Sequence, residues 1–335
     1  MSIQKRIIAV NPPREEIYEF TLINNRNTEV HITNYGNIVS SFFVKGINIV
    51  LGFKDIASYW SPDYRSRYPY FGAVIGRTGN RIREGKFSID GVEYQLARNN
   101  GNCNLHGGPD GLDTKTWDIV KDDALPDNTV CFQYLSRDQE SGFPGNLLVK
   151  QVYRLTEEDE LVIESFAETD KPTLLNLTHH DYFNLNGGGP IFQHQLKINA
   201  HAYLGQDEGL VPDGTLLAVE DTAYDFRAPR AIGNRGYDQS FVLDDDRNLK
   251  LAAEARGDQS GLTLQVYTTE PLVHFYNGGG VPEFVVGKEK LFGNFTGFCL
   301  ETQKHPDAVN IPHFPNIILR PGEKYHEKTI YKVIG

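Results

Sequence analysis

The chain has 335 residues, 39% of them apolar and 23% charged, which is ample material for a core of its own. Its 33 basic and 44 acidic residues leave a formal charge of −11, which argues against the positive face that nucleic acid or an anionic membrane demands. The longest apolar runs, Ile7 to Val10 and Leu216 to Val219, are four residues each, far short of a membrane-spanning helix.

The opening segment, MSIQKRIIAVNPPREE, reaches proline and acid too soon to supply the apolar core of a signal peptide. Three cysteines, Cys103, Cys131 and Cys299, lack CxxC spacing and read as ordinary thiols in a reducing compartment, so a cytoplasmic protein is expected.

In chain order, the first clear element is a hairpin in KFSIDGVEYQL. An Asp90-Gly91 loop of two residues places Ile89 opposite Val92 and Phe87 opposite Tyr94, so these four and Leu96 cover one face. Strand patterns follow at TVCFQYLS (129–136), LLVKQVYRL (147–155) and LVIESFAE (161–168), separated by polar turns such as TEEDE. Period-two alternation returns at Leu196, Ile198 and Ala200 and again at Leu262, Leu264 and Val266, and GEKYHEKTIYKV closes the chain in the same way.

No stretch of a dozen residues carries a helical stripe free of Gly or Pro. The pattern predicts an all-β fold, a large antiparallel sandwich. NGGGP (186–190) and GGGVP (278–282) are too short to be interdomain linkers, so residues 1–335 are expected to form one domain.

Polar chemistry concentrates in GRTGNRIR (76–83), NLHGG (104–108), NLTHHDYFNLNG (176–187), ETQKHPD (301–307) and, more weakly, GYDQSF (236–241). In NLHGG, His106 either caps a turn or presents its ring beside glycines that let backbone approach a ligand. For His179-His180, strand alternation sends the two rings to opposite sides. The even positions Asn176, Thr178, His180 and Tyr182 form a polar and aromatic face suited to a sugar, and that selects His180. His179 then looks outward or into the core.

Other chemistries fit less well. His106, one of the pair and Glu301 resemble a cupin-like ligand set but lack a His-x-His start, so no metal and no cofactor is expected. Asp238 and Glu301 as the carboxylates of a glycosidase stay open, because their separation is not readable. Arg65, Arg67, Arg77, Arg81 and Arg83 form either a phosphate clamp or ion pairs with the many acids.

Taken in order, NYGNIVSSF (34–42), GAVIGRTGNRI (72–82), LHGG (105–108) with Trp117-Asp118, NLTHHDYFNL (176–185), Gly236-Tyr237-Asp238, Leu300-Glu301-Thr302-Gln303 and RPGEKY (320–325) resemble the aldose 1-epimerase (galactose mutarotase) family. The resemblance implies a galactose mutarotase-like β-sandwich that interconverts the α and β anomers of a free aldose such as glucose or galactose. It implies Glu301 as base, His180 as acid and His106 as a supporting catalytic donor near the ring oxygen. Asn80, Arg81 and Asp238 would bind sugar hydroxyls, and Tyr182 would pack on a sugar face. A carboxylate near His180 is expected to raise its protonated fraction.

Four positions depart from the family pattern. His179 stands for asparagine, Asp181 for serine, Gln239 for the histidine after Asp238, and Glu270 for glutamine, and these departures bear on sugar selection. The competing functions are a hexose-6-phosphate 1-epimerase, for which the arginines speak, and a carbohydrate-binding protein without turnover. The expected partner is a small-molecule aldose, not nucleic acid or a membrane, acting on a monomer or dimer.

Overall fold

A computed structural model describes residues 2–11, 15–122, 124–126, 128–243, 248–286 and 290–335. It is built from antiparallel strands in three large sheets. The first is a meander of Ser2–Asn11, Glu15–Ile23, Glu29–Thr33, Val39–Val44 and Ile47–Asn48. The second has nine strands. Asp118–Ile119, Thr129–Ser136, Leu147–Leu155 and Glu160–Thr169 lead to Tyr325–Ile334, and Thr263–Thr268, Lys250–Arg256, Gln195–Ile198 and Arg230–Ala231 continue it. The third runs Pro212–Ala218, Ala202–Gln206, Asp238–Val242, Leu272–Tyr276, Cys299–Gln303.

Side chains from all three sheets meet in one apolar cluster, among them Phe20, Val30, Phe132, Val149, Tyr331, Phe241 and Val273. Phe20 meets Phe132 edge to face at 5.5 Å, and the Thr302 and Thr329 hydroxyls bond at 2.5 Å between the second and third sheets. This is the sandwich that the alternation predicts, with the last strand seated between Glu160–Thr169 and Thr263–Thr268. No helix among the described residues is long and apolar enough to cross a membrane.

The predicted hairpin forms in the predicted register, Phe87 opposite Tyr94 and Ile89 opposite Val92. Phe87, Ile89 and Leu96 are buried with Phe143, Leu174 and Ile317, whereas Val92 at the turn is 54% exposed, because the tip overhangs that cluster. One short α-helix, Pro62–Arg67, escaped the sequence reading. The Ser61 side chain accepts from the Tyr64 amide and Pro62 starts the first turn, both ordinary start signals. Six residues are too few for a periodic stripe.

The arginine cluster does not assemble. Arg77 is buried and donates to the carbonyls of Ser136, Arg137, Pro144 and Gly145 and the hydroxyls of Ser136 and Thr173. Arg65 lies 3.7 Å from Asp113, Arg67 pairs with Asp63, and Arg83 bonds Asp207 at 2.7 Å. Only Arg67 and Arg81 of the five reach the large cleft described below.

Between the second and third sheets lies a small chamber in which Gln151, Ser165, Thr178, His179, Thr302, Glu327 and Thr329 meet Val74 and Ile163. Burial, with Glu270 nearby, pushes the Glu327 carboxyl up to about 8. Glu270 itself is held by Lys304 at 2.8 and 3.0 Å. A carboxyl that stays protonated when folded but ionises near pH 4.3 when unfolded contributes stability that is full below that pH and lost as pH rises through 8. Glu327→Gln removes this dependence. In urea titrations the variant should gain roughly 1–3 kcal/mol on the parent between pH 5 and 9. A pH-independent difference would contradict the assignment.

Candidate active site

A cleft of about 180 Å³ opens beside the third sheet. Three adjacent strands of that sheet deliver its charged floor. His274 is the register partner of Glu301 on one side and of Ser240 on the other, and Asp238 pairs with Tyr276. Alternation therefore puts Asp238, His274 and Glu301 on one face, while Val273 and Phe275 point into the core.

The wall opposite is organised by residues 72–82. Val74–Ile75 pairs with Thr178–His179, and the His180 amide donates to the Ala73 carbonyl at 2.9 Å. Arg81–Ile82 pairs with Asn104–Leu105, and the His106 amide donates to the Asn80 carbonyl at 3.0 Å. One segment thus holds both imidazoles. Asn80 itself has φ +59°, which asparagine tolerates better than most residues, and its side chain accepts from the Arg81 amide at 2.8 Å.

The glycine after His106 has a use other than the approach to a ligand that was one of its two readings. A Cβ on Gly107, whose φ is +82°, would lie 2.1 Å from the Gly76 carbonyl oxygen. The glycine lets the two site loops touch each other, rather than letting backbone approach a ligand.

His106, His180 and Glu301 converge, with one donor atom from each lying within 4.8 Å of the others. They form the one such group of His, Cys, Asp or Glu among the described residues, and so the place where a metal ion would find most ligands. His180 Nε2 is 3.6 Å from Glu301 Oε1. The ring is clamped between Tyr182, stacked at 4.9 Å, and Tyr70, stacked at 5.8 Å, and Cys299 Sγ lies 3.4 Å from its Nδ1. Burial pushes the His180 pKa down by more than Glu301 pulls it up. That reverses the expected direction, because the sequence does not reveal that the ring is buried.

His106 is neutral. Its Nδ1 accepts from the Asn80 amide at 3.2 Å, so the proton sits on Nε2. Burial first, then the charges of His180, Arg81 and His274, drive its pKa well below the ordinary value.

Asp238 Oδ1 lies 2.7 Å from His274 Nε2, and Oδ2 lies 3.6 Å from an Arg81 guanidinium nitrogen. Burial pushes the Asp238 carboxyl up, but the His274 bond and the Arg81 charge outweigh it and hold the group below its ordinary value.

All seven sequence-derived residues, His180, Glu301, His106, Asn80, Arg81, Tyr182 and Asp238, line this cleft. Tyr182 is placed otherwise than expected. One ring face is covered by His180, so it braces that imidazole instead of offering a free platform to a sugar.

The four departures from the family pattern lie outside the cleft lining among the described residues. His179 and Asp181 bond each other at 2.8 Å, Gln239 donates to the Leu204 carbonyl and Glu270 pairs with Lys304. None of the four therefore touches the space a sugar would occupy. Sequence reading singled out Arg67 only within the arginine cluster and missed Tyr70, Tyr276 and His274. In LVHFY, a polar ring alternating with Val273 and Phe275 was a usable signal for the last two. Cys299 packs in the apolar cluster behind the strand and also touches His180.

Comparison with known proteins matches residues 18–332 to the family model described as aldose 1-epimerase. A protein from Bos taurus named galactose mutarotase is 40% identical over 347 residues, covering 99% of this chain and 98% of that protein. The aldose 1-epimerase of Escherichia coli K12 is 38% identical over 294 residues, 82% of this chain and 83% of that one. Among solved structures, the GalM/aldose epimerase homologue from C. elegans superposes with a TM-score of 0.85 at 26% identity, covering 94% of this chain and 98% of that chain. Galactose 1-epimerase from Lactobacillus acidophilus NCFM gives 0.83 at 26% identity, covering 99% and 98%.

Proposed function

The chain belongs to the aldose 1-epimerase family and interconverts aldose anomers, and from that premise we propose that Glu301 is the base and His180 the acid of the reaction. Ring opening needs a proton taken from the C1 hydroxyl and one delivered to the ring oxygen. Glu301 takes the first as the C1–O bond to the ring oxygen breaks. The bonding pair goes to the ring oxygen, which receives the Nε2 proton of His180, and C1 becomes an aldehyde. Rotation about C1–C2 and the reverse transfers give the other anomer.

The pair holds one transferable proton before and after opening, so it is reset without outside help. The observation that carries this reading is the 3.6 Å approach of His180 Nε2 and Glu301 Oε1 at the floor of an open cleft. A low His180 pKa suits the step, since the imidazolium is a stronger acid when it forms. Neutral His106 offers its Nε2–H to the ring oxygen as charge grows there.

Asn80, Arg81 and Asp238 hold the distal hydroxyls, and Tyr182 braces His180. The substrate is a free aldose. The scattered arginines give no support to a phosphorylated one, and the retained acid–base pair favours turnover over binding alone. The same reading takes residues 1–335 as one unit, supported by the shared core. It also takes the protein as cytoplasmic, supported by three free and buried cysteines. Freshly dissolved α-D-galactose or α-D-glucose, followed by polarimetry, should relax at a rate that rises linearly with protein concentration. Relaxation at the buffer rate would overturn the proposal.

A further inference from the structure

His274 takes no part in the proton transfers above, yet it lines the cleft beside the base. Its ring is only 5% exposed, and both nitrogens are engaged. Nε2 lies 2.7 Å from Asp238 Oδ1, and Nδ1 lies 2.9 Å from Ser240 Oγ and 3.5 Å from Asn80 Nδ2.

Asp238 is the more open partner, its side chain 27% exposed toward the cleft. A carboxylate turns easily about its last torsion, so two free oxygens would present no fixed direction to a ligand. His274 removes that freedom by occupying Oδ1. What remains is Oδ2, facing an Arg81 nitrogen at 3.6 Å. That separation is too long for a good hydrogen bond. A hydroxyl placed beside both can accept from the guanidinium and donate to the carboxylate.

We propose that His274 is a positioning and specificity-determining residue that works through Asp238, fixing its carboxylate so that Oδ2 and Arg81 together read the configuration of a sugar hydroxyl remote from C1. The inference rests on the assignment of C1 to His180 and Glu301, which puts the Asp238–Arg81 pair at the far side of the ring. The charged and titratable groups facing His274 are Asp238, Glu301, Arg81, His180 and His106. Asp238 and Glu301 outweigh burial and Arg81 in raising its pKa, so the bond to Asp238 is charge-assisted over a wider pH range.

The test compares His274→Phe, which fills the space without a donor, with His274→Gln, which restores one. Galactose and glucose, which differ only at C4, and the 3-deoxy and 4-deoxy forms of glucose serve as probes. For His274→Phe, KM should rise about tenfold for the sugar whose hydroxyl Asp238 holds, with kcat within about threefold. KM for the deoxy sugar that lacks this hydroxyl should stay put. His274→Gln should recover most of the loss.

Ser240→Ala, which frees Nδ1, keeps the test available if the phenylalanine variant does not fold, and should move KM the same way by a smaller factor. Equal losses on every sugar would overturn the proposal, as would a kcat loss at unchanged KM. Failure of the underlying reading appears elsewhere, as full turnover by a Glu301 variant, and is distinguishable from either result.

Discussion

Glu301→Gln is expected to lower kcat for galactose at least about a hundredfold while KM moves by less than about threefold. The substitution keeps volume and shape and removes only the ability to take a proton. Glu301 is 2% exposed, and its Oε2 has no hydrogen-bond partner among the described residues. A buried carboxylate oxygen in that condition has an acceptor to offer, and a C1 hydroxyl is the donor that matches it. Glutamine supplies an acceptor too, which is why binding should survive. Positioned acid–base groups contribute about 10² to 10⁴ in rate, so a smaller loss than that would remove Glu301 from the base role. The measurement is the initial rate of optical rotation at saturating sugar, with a thermal melt to establish that the variant is folded.

Much of this site was readable from residue order alone, for a physical reason. Strand alternation is a local property, so the period-two rule fixed the hairpin at 86–95 to the residue. At 176–182 it held for His180 and Tyr182, which reach the cleft, but not for Asn176, which bonds Lys304, or Thr178, which lines the buried chamber with His179. Partners across strands are not local. Nothing near Asp238 in the chain announces that a histidine 36 positions later will bond its carboxylate. Burial is equally non-local, and this is why the direction of the His180 shift was reversed. Tyr182 shows the same limit, because an aromatic ring on the right face serves a sugar or a neighbouring imidazole equally well until the packing is known. The four departures from the family pattern drew attention because they sit in chemical motifs. Three of them proved to be two halves of a buried bond and a strand residue facing away from the cleft. Adjacency in sequence does not make residues neighbours in a cavity.

The adjacent histidines give the sharpest contrast. His180→Asn should lose about 10² to 10⁴ in kcat, because it removes the imidazole whose Nε2 lies 3.6 Å from Glu301 and leaves only neutral His106 beside the ring oxygen. His179→Asn should leave kcat within about threefold and instead destabilise the fold by about 1–3 kcal/mol. The His179 ring points away from the cleft. Its Nδ1 lies 2.8 Å from Asp181 Oδ2 and its Nε2 lies 3.1 Å from the Tyr153 hydroxyl, all of them buried. Removing the ring strands the Asp181 carboxylate without its partner. Changing both residues to the family's usual pair, His179→Asn with Asp181→Ser, takes away the stranded charge as well. The double variant should therefore recover much of the lost stability, and its melting temperature should exceed that of His179→Asn alone. Turnover lost with His179→Asn and kept with His180→Asn would exchange the two roles and undo the strand-alternation argument on which the site was built.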